Sequence, residues 1–243
     1  MTPGRAYRRG YPVAVLVGFE DDRATLWKVY SHVVKPERTV WLEETWNDQK
    51  AVYNFLEKIV NALRPTVNEG VRSIILASPA RTDHAKKFAE HVRQHHAWLV
   101  QGSNKAAFSE TVGTAGTLSE VATLVKTLGF RKLIDETTSQ ETEDLASLLE
   151  KRLNSSDQNT LILYSLKEAE DLILDAPKPG RPKAEYLLLT NKYLADSREK
   201  NRLHRLMQIA ANRKIKTRIV DAATPAGVRL TQLGGIVCLA KRN

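Results

Sequence analysis

Lys216-Thr-Arg-Ile-Val-Asp-Ala-Ala-Thr-Pro-Ala-Gly-Val-Arg-Leu-Thr-Gln-Leu-Gly-Gly-Ile-Val-Cys-Leu-Ala-Lys241 is the stretch from which the fold is read. Its first six residues predict a short strand. Thr224-Pro225 then opens a helix, with proline at a position that needs no N–H donor. Gly234-Gly235 lets the chain turn tightly, and residues 236–240 return as a second strand that is apolar throughout. A continuous apolar run of this kind fits a strand buried on both faces, so helices are expected to cover both sides of the sheet it joins.

The chain has 243 residues, 42% of them hydrophobic, enough for one large core or two ordinary ones, and two is the expectation for this length. A single cysteine, Cys238, excludes an internal disulfide framework and suggests a reducing compartment; its place in the apolar strand reads as a small core residue rather than a reactive thiol. No apolar run approaches the ~18 residues of a membrane span, and the basic start lacks the apolar segment of a signal peptide, so a soluble, cytoplasmic protein is expected. The net charge is +9 and the isoelectric point about 9.6. Basic residues concentrate in 178–218, where twelve Lys/Arg face three acids, Glu185, Asp196 and Glu199. Such a bias attracts phosphate backbones and implies salt-sensitive binding.

Outward from that end, the pattern alternates between strands and helices. Residues 13–17 and 24–30 read as a hairpin around the acidic turn Glu20-Asp-Asp-Arg23, which is a solvated turn rather than a metal site, and 33–42 is a further extended pass. A helix is predicted over 48–63, with Val52, Phe55, Leu56, Ile59, Val60 and Leu63 inward and Pro65 closing it. A buried strand over 73–77, a helix ending near 96, a short strand over 98–100, a polar loop over 102–116 and a helix over 118–128 stopped by Gly129 complete an α/β domain. Residues 134–140 read as a polar linker. Beyond it, 141–153 is an amphipathic helix, 161–164 a strand or the lead into a helix over 166–174, and the proline-rich 175–183 a loop. A strand over 186–190 and a basic helix over 198–213, capped by Asp196 or Ser197, lead into the quoted stretch. The divisions are a basic tail at 1–11, a first domain at 12–133 and a second at 140–243.

In this order the chain resembles Pelota, the ribosome-rescue relative of the archaeal and eukaryotic class I release factors. Gly70-Val-Arg-Ser-Ile-Ile-Leu-Ala-Ser-Pro79 is similar to the Pelota segment in which a strand ends in Ala-Ser-Pro or Gly-Pro before a helix. Trp98-Leu-Val100, a polar loop and Thr117-Leu-Ser-Glu-Val-Ala-Thr-Leu124 are similar to the family's strand, Ser/Gly-rich loop and helix. Tyr186-Leu-Leu-Leu-Thr-Asn-Lys-Tyr-Leu194 and the ungapped segment 219–241, with Ala226-Gly227, Leu230, Gln232-Leu233 and Gly235-Ile236 in place, complete the likeness over about 12–242. The resemblance implies the family's central domain, RNase H-like or ribosomal-protein-like, and its C-terminal α/β/α domain, like the ribosomal proteins that bind RNA kink-turns. From the resemblance, the family's N-terminal Sm-like domain, which enters the decoding centre, is expected to be missing here and replaced by residues 1–10.

Release factors carry Gly-Gly-Gln before the long helix of the central domain, and the matching place here is Trp46-Asn-Asp-Gln-Lys-Ala51. Gln49 falls where the glutamine would, but Asn47 and Asp48 replace both glycines and Asp48 reads as a helix cap. Pelota lacks the motif too, so the resemblance implies a non-catalytic, archaeal-type factor without cofactor, binding the ribosome or tRNA. A peptidyl-tRNA hydrolase using Gln49 and a structured-RNA-binding module are the alternatives. Candidate phosphate contacts are Arg5, Arg8, Arg9, Lys35, Arg38, Lys50 and Lys105, with Arg198, Arg202, Arg205 and Arg213 on the basic helix. The family meets an ABC-type ribosome-recycling ATPase through the last helix, which places Thr224, Pro225, Gly227 and Val228 as partner contacts; the family usually carries an acid where this chain has Val228. His84, His91 and His95 share a helix face at spacings of seven and four, but without the acid and third ligand of a zincin motif they are read as holding no metal.

Overall fold

The structure, a computed structural model, describes residues 10–102, 105–155, 157, 159–175 and 180–242. The chain divides into two compact units: one runs to Val67 and resumes over Val71–Glu141, and the other comprises Asn68–Gly70 with Thr142–Asn243.

The first unit holds β1 (Pro12–Phe19), β2 (Arg23–Tyr30), β3 (Val34–Trp41), α1 (Gln49–Asn68), β4 (Ser73–Ser78), α2 (His84–His95), α3 (Ala97–Val100), β5 (Ala107–Val112), α4 (Leu118–Leu124) and the start of α5 (Leu128–Leu153). Its sheet has the order β3-β2-β1-β4-β5. β2 runs antiparallel to β1 and β3, while β1, β4 and β5 pair in parallel, which is the RNase H-like arrangement that the resemblance implies. Both faces of the central strands are covered. Val15, Val17, Phe19, Ile74 and Leu76 share a core with Phe55, Ile59 and Leu63 of α1 and Phe88 and Val92 of α2. The alternate residues Ala14, Leu16, Ile75 and Ala77 share a second core with Val121 of α4 and Phe130, Leu133 and Ile134 of α5. The period of two along a strand thus feeds two separate cores.

The second unit continues with β6 (Thr160–Leu163), α6 (Leu166–Leu174), β7 (Lys183–Thr190), α7 (Asn191–Asp196), α8 (Lys200–Asn212), β8 (Lys216–Val220), α9 (Pro225–Gln232) and β9 (Ile236–Lys241). Its sheet order is β6-β9-β7-β8, and only β7 and β8 are parallel. Tyr186, Leu188, Val237 and Leu239 pack with Leu145 and Leu149 of α5 and Ala226 and Leu230 of α9. Their neighbours Leu187, Leu189 and Cys238 are buried as well, as are Ala169 and Ile173 of α6 and Leu203 and Leu206 of α8. The strand-helix-strand reading of 216–241 holds, including the buried final strand.

Several sequence expectations give way to tertiary context. Residues 98–100 form a single helical turn, not a strand, which sinks Leu99 into the first core while Trp98 stays partly exposed beneath Arg64, 4.7 Å from its ring. The next strand lies instead within the expected polar loop, as β5. Among the described residues it pairs only with β4, and an edge strand tolerates the polar run Ser109-Glu110-Thr111 that hid it. The expected linker 134–140 is helical and belongs to α5. Thr137 and Thr138, which lower helix propensity, donate their hydroxyls to the carbonyls of Leu133 and Ile134 at 2.6 and 2.8 Å, and Thr137 also meets Ser109 at 2.7 Å. Gly129 sits inside the first turn of α5 and stops nothing; α4 has already ended at Leu124. α1 continues past Pro65 to Asn68, because Thr66 and Val67 are buried and Thr66 donates to Glu37 at 2.8 Å. The basic helix begins only at Lys200, and neither Asp196 nor Ser197 caps it: Ser197 ends the separate helix α7, which Thr190 caps through the N–H of Tyr193 at 3.0 Å.

Burial pushes the thiol of Cys238 up to about 12, so it stays protonated in the folded protein. A thiol reagent at mildly alkaline pH is therefore expected to leave the native chain unmodified and to label one thiol per chain once denaturant unfolds it; fast labelling of the native protein contradicts the placement.

Candidate nucleic-acid interface

The segment entering α1 is fixed by three contacts that local sequence cannot show. Trp46 stacks on His84 with ring centroids 3.9 Å apart, meets Phe55 edge-on at 5.6 Å, and donates its indole N–H to the carbonyl of Asp21 at 2.9 Å. Asp48 accepts the backbone N–H of Ala51 at 2.9 Å and its carbonyl accepts from Val52, so it is the helix cap expected from the sequence. Gln49 is thereby the first helical residue and is exposed beside Lys50. A backbone held in this way presents Gln49 on a fixed helix terminus; it does not supply a pliant glycine approach to an ester.

The basic candidates fall into distinct groups. Arg5, Arg8 and Arg9 lie outside the described residues, as does Lys178. Arg38 is exposed and Lys35 half-buried on the edge strand β3, with Lys35 opposite Lys28, and Lys105 is exposed before β5. Arg198 lies in the turn before α8 and Arg205 on its outer side, both exposed. Two of the predicted contacts are instead structural. Arg202 is clamped by Glu170 of α6 and by Glu199, and its guanidinium pKa is raised by the hydrogen bond to Glu170 first and then by that to Glu199. Arg213 donates to the carbonyls of Ile173, Leu174 and Asp175, the last at 2.7 Å, and so satisfies the C-terminal end of α6.

At the expected partner contact, Thr224 caps α9 by accepting the N–H of Gly227 at 3.1 Å, and Pro225 occupies the first turn. Gly227 is buried: a Cβ there would lie 1.9 Å from the carbonyl oxygen of Asp221, so the glycine is required by close approach of backbone. Pro225 and Val228 are exposed, the latter at 48%.

The histidines part company. His84 turns to Trp46 and Asp21, whereas His91 and His96, the latter a residue the sequence reading passed over, both meet Glu57 of α1. Glu57 lies 34 residues before His91 on another helix, and no spacing rule could have joined them.

No family model and no curated protein sequence matches the chain. Solved structures do. The chain is similar to S. cerevisiae Dom34, described as a translation termination-like factor involved in RNA quality control pathways and interacting with Hbs1, with a TM-score of 0.50 and 21% identity over 97% of this chain and 64% of that one. It is also similar to the archaeal Pelota of a ribosome-bound model with ABCE1, with a TM-score of 0.54 and 15% identity over 95% of this chain and 62% of that one. The chain thus spans less than two thirds of the length of either structure. At these identities the likeness is one of fold: the chain is Pelota-like, with two α/β domains.

Asp48→Ala is expected to cost about 1 kcal/mol in urea denaturation through loss of the cap, whereas Gln49→Ala, at an exposed first-turn position, should stay within about 0.5 kcal/mol of the parent. Equal losses in both variants would contradict the capping geometry.

Proposed function

We propose that this chain is a non-catalytic, Pelota-like factor of the translation apparatus, cytoplasmic and of archaeal type, that binds the ribosome or tRNA through basic surface residues during rescue, recycling or dormancy. The observation that carries the reading is the Pelota-like fold, which extends over nearly the whole chain. The charge supports it: a net +9 attracts polyanions, and phosphate-rich RNA is the ligand such a surface favours. The pinned segment before Gln49, with a carboxylate where a glycine would be needed, argues against peptidyl-tRNA hydrolysis.

Lys35, Arg38, Lys50, Lys105, Arg198 and Arg205 are the proposed phosphate contacts among the described residues, and Arg5, Arg8 and Arg9 extend the set. Arg202 and Arg213 are engaged by protein acceptors of α6 and its end. The partner proposed for Thr224, Pro225, Gly227 and Val228 is an ABC-type ribosome-recycling ATPase, by analogy with the ribosome-bound Pelota structure that contains ABCE1. Of these four, Pro225 and Val228 supply the exposed contact and Thr224 and Gly227 hold the turn that presents them.

Purified protein is expected to sediment with ribosomes at low salt and to release them as salt rises, without cleaving peptidyl-tRNA. Absence of ribosome binding at every salt concentration, together with retained binding to isolated structured RNA, would replace this reading with that of an RNA-binding module; cleavage lost in Gln49→Ala would replace it with a hydrolase. Within the complex, Arg205→Ala should lower the salt slope of binding by about one while leaving the urea midpoint unchanged. Arg213→Ala should lower the midpoint, since it uncaps α6.

A further inference from the structure

A second site lies in the first unit, between α1 and the end of α2. Glu57 Oε1 stands 3.0 Å from His91 Nε2 and 2.7 Å from His96 Nε2, and the three ligand atoms all lie within 4.8 Å of one another. Both histidines are buried and Glu57 is partly exposed, so the cluster opens to solvent on the carboxylate side. The exposed His95 stands on the same rim, its ring centroid 4.8 Å from that of His91, and Tyr53 packs edge-on against both rings at 5.1 and 5.3 Å.

We propose that Glu57, His91 and His96 form a binding site for a zinc-class divalent transition metal, with one coordination position open beside His95. Two imidazole nitrogens and one carboxylate oxygen are a ligand set that zinc accepts when its fourth position is left to water. Tetrahedral coordination at ordinary zinc–nitrogen and zinc–oxygen lengths sets neighbouring ligand atoms about 3.3 Å apart, so the 3.0 and 2.7 Å carboxylate–imidazole separations would open by about 0.3 and 0.6 Å, while the Nε2 atoms, all ligand atoms lying within 4.8 Å of one another, would draw to the same spacing.

A carboxylate only accepts, so in the metal-free state both Nε2 atoms carry hydrogen and donate to Glu57 Oε1. Burial favours the neutral form of His91 and outweighs the pull of Glu57. Burial also opposes ionisation of Glu57, but hydrogen bonds from His96 and then His91 overcome it and hold the carboxyl below its usual range. Together they place an ionised Glu57 beside a neutral His91. Metal binding through either Nε2 requires that nitrogen to release its hydrogen, with the ring carrying its hydrogen on Nδ1 instead.

The site ties the middle of α1 to the end of α2, the two helices that cover one face of the first sheet. A metal there would staple this face, and binding to the folded state alone would raise its thermal stability.

The test uses the full chain, stripped with chelator and dialysed against Zn2+ alone. Elemental analysis should return one zinc per chain, and the nitrogen spectrum of the histidines should show the Nε2 signals of His91 and His96 moving to metal-bound positions. Glu57→Gln, which keeps the shape and an acceptor oxygen, and His96→Ala should each weaken zinc binding by more than about tenfold. Stoichiometric zinc that persists undiminished in both variants, or histidine Nε2 signals that do not move in the parent chain, would overturn the proposal; the second readout needs no variant to fold.

Discussion

Burial of the central strands on both faces is the constraint on which the rest of the structure depends. Every residue of β4 is buried, and β9 is buried until its last residue, Lys241. A strand in that position exposes no edge of side chain to water, so helices must cover the sheet on each side and the chain must cross over between parallel neighbours. In the first unit the consequence is two cores separated by one sheet, with β1 and β4 contributing alternate residues to each. Removal of that much apolar surface from water supplies the driving force, at roughly 25 cal/mol for each Å² buried.

Given this scaffold, the exposed basic residues sit on helix outer faces, an edge strand and turns, while a few polar groups such as His91, His96 and Glu141 are buried. The basic residues illustrate how the same side-chain type serves two ends. Arg213 is consumed in capping α6, Arg202 in a clamp between α6 and α8, and Arg152 pairs with Glu185. Arg198 and Arg205 instead project outward from the same neighbourhood. A guanidinium already bonded to protein acceptors has little left to offer a phosphate, so the net charge overstates the surface available to RNA.

The segment before α1 shows how a position can keep its place in a fold and lose its chemistry. Gln49 stands at the start of the long helix of the first unit, yet the residues ahead of it act as anchor and cap: Trp46 against His84 and Phe55, Asp48 on Ala51. The cap stabilises the helix terminus because it satisfies a backbone donor that would otherwise lack a partner.

Residue order alone determined the apolar strands, the helix faces, the proline-led start of α9 and the Asp48 cap, because each rests on periodicity or on backbone chemistry within a few residues. The Pelota likeness was legible for the same reason, its motifs being local. Only tertiary structure decided that 98–100 coil rather than extend, that the polar run 107–112 is a strand, and that the threonine-rich 134–140 is helix. In each case a distant neighbour supplies what the local sequence lacks: a core pocket for Leu99, a ladder partner for β5, a hydroxyl at Ser109 for Thr137. The site residues divide in the same way. The sequence placed Gln49 and the exposed arginines, but not the fates of Arg202 and Arg213, nor the meeting of Glu57 with His91 and His96, because side chains on separate helices are brought within hydrogen-bond distance only when the helices pack on a common sheet.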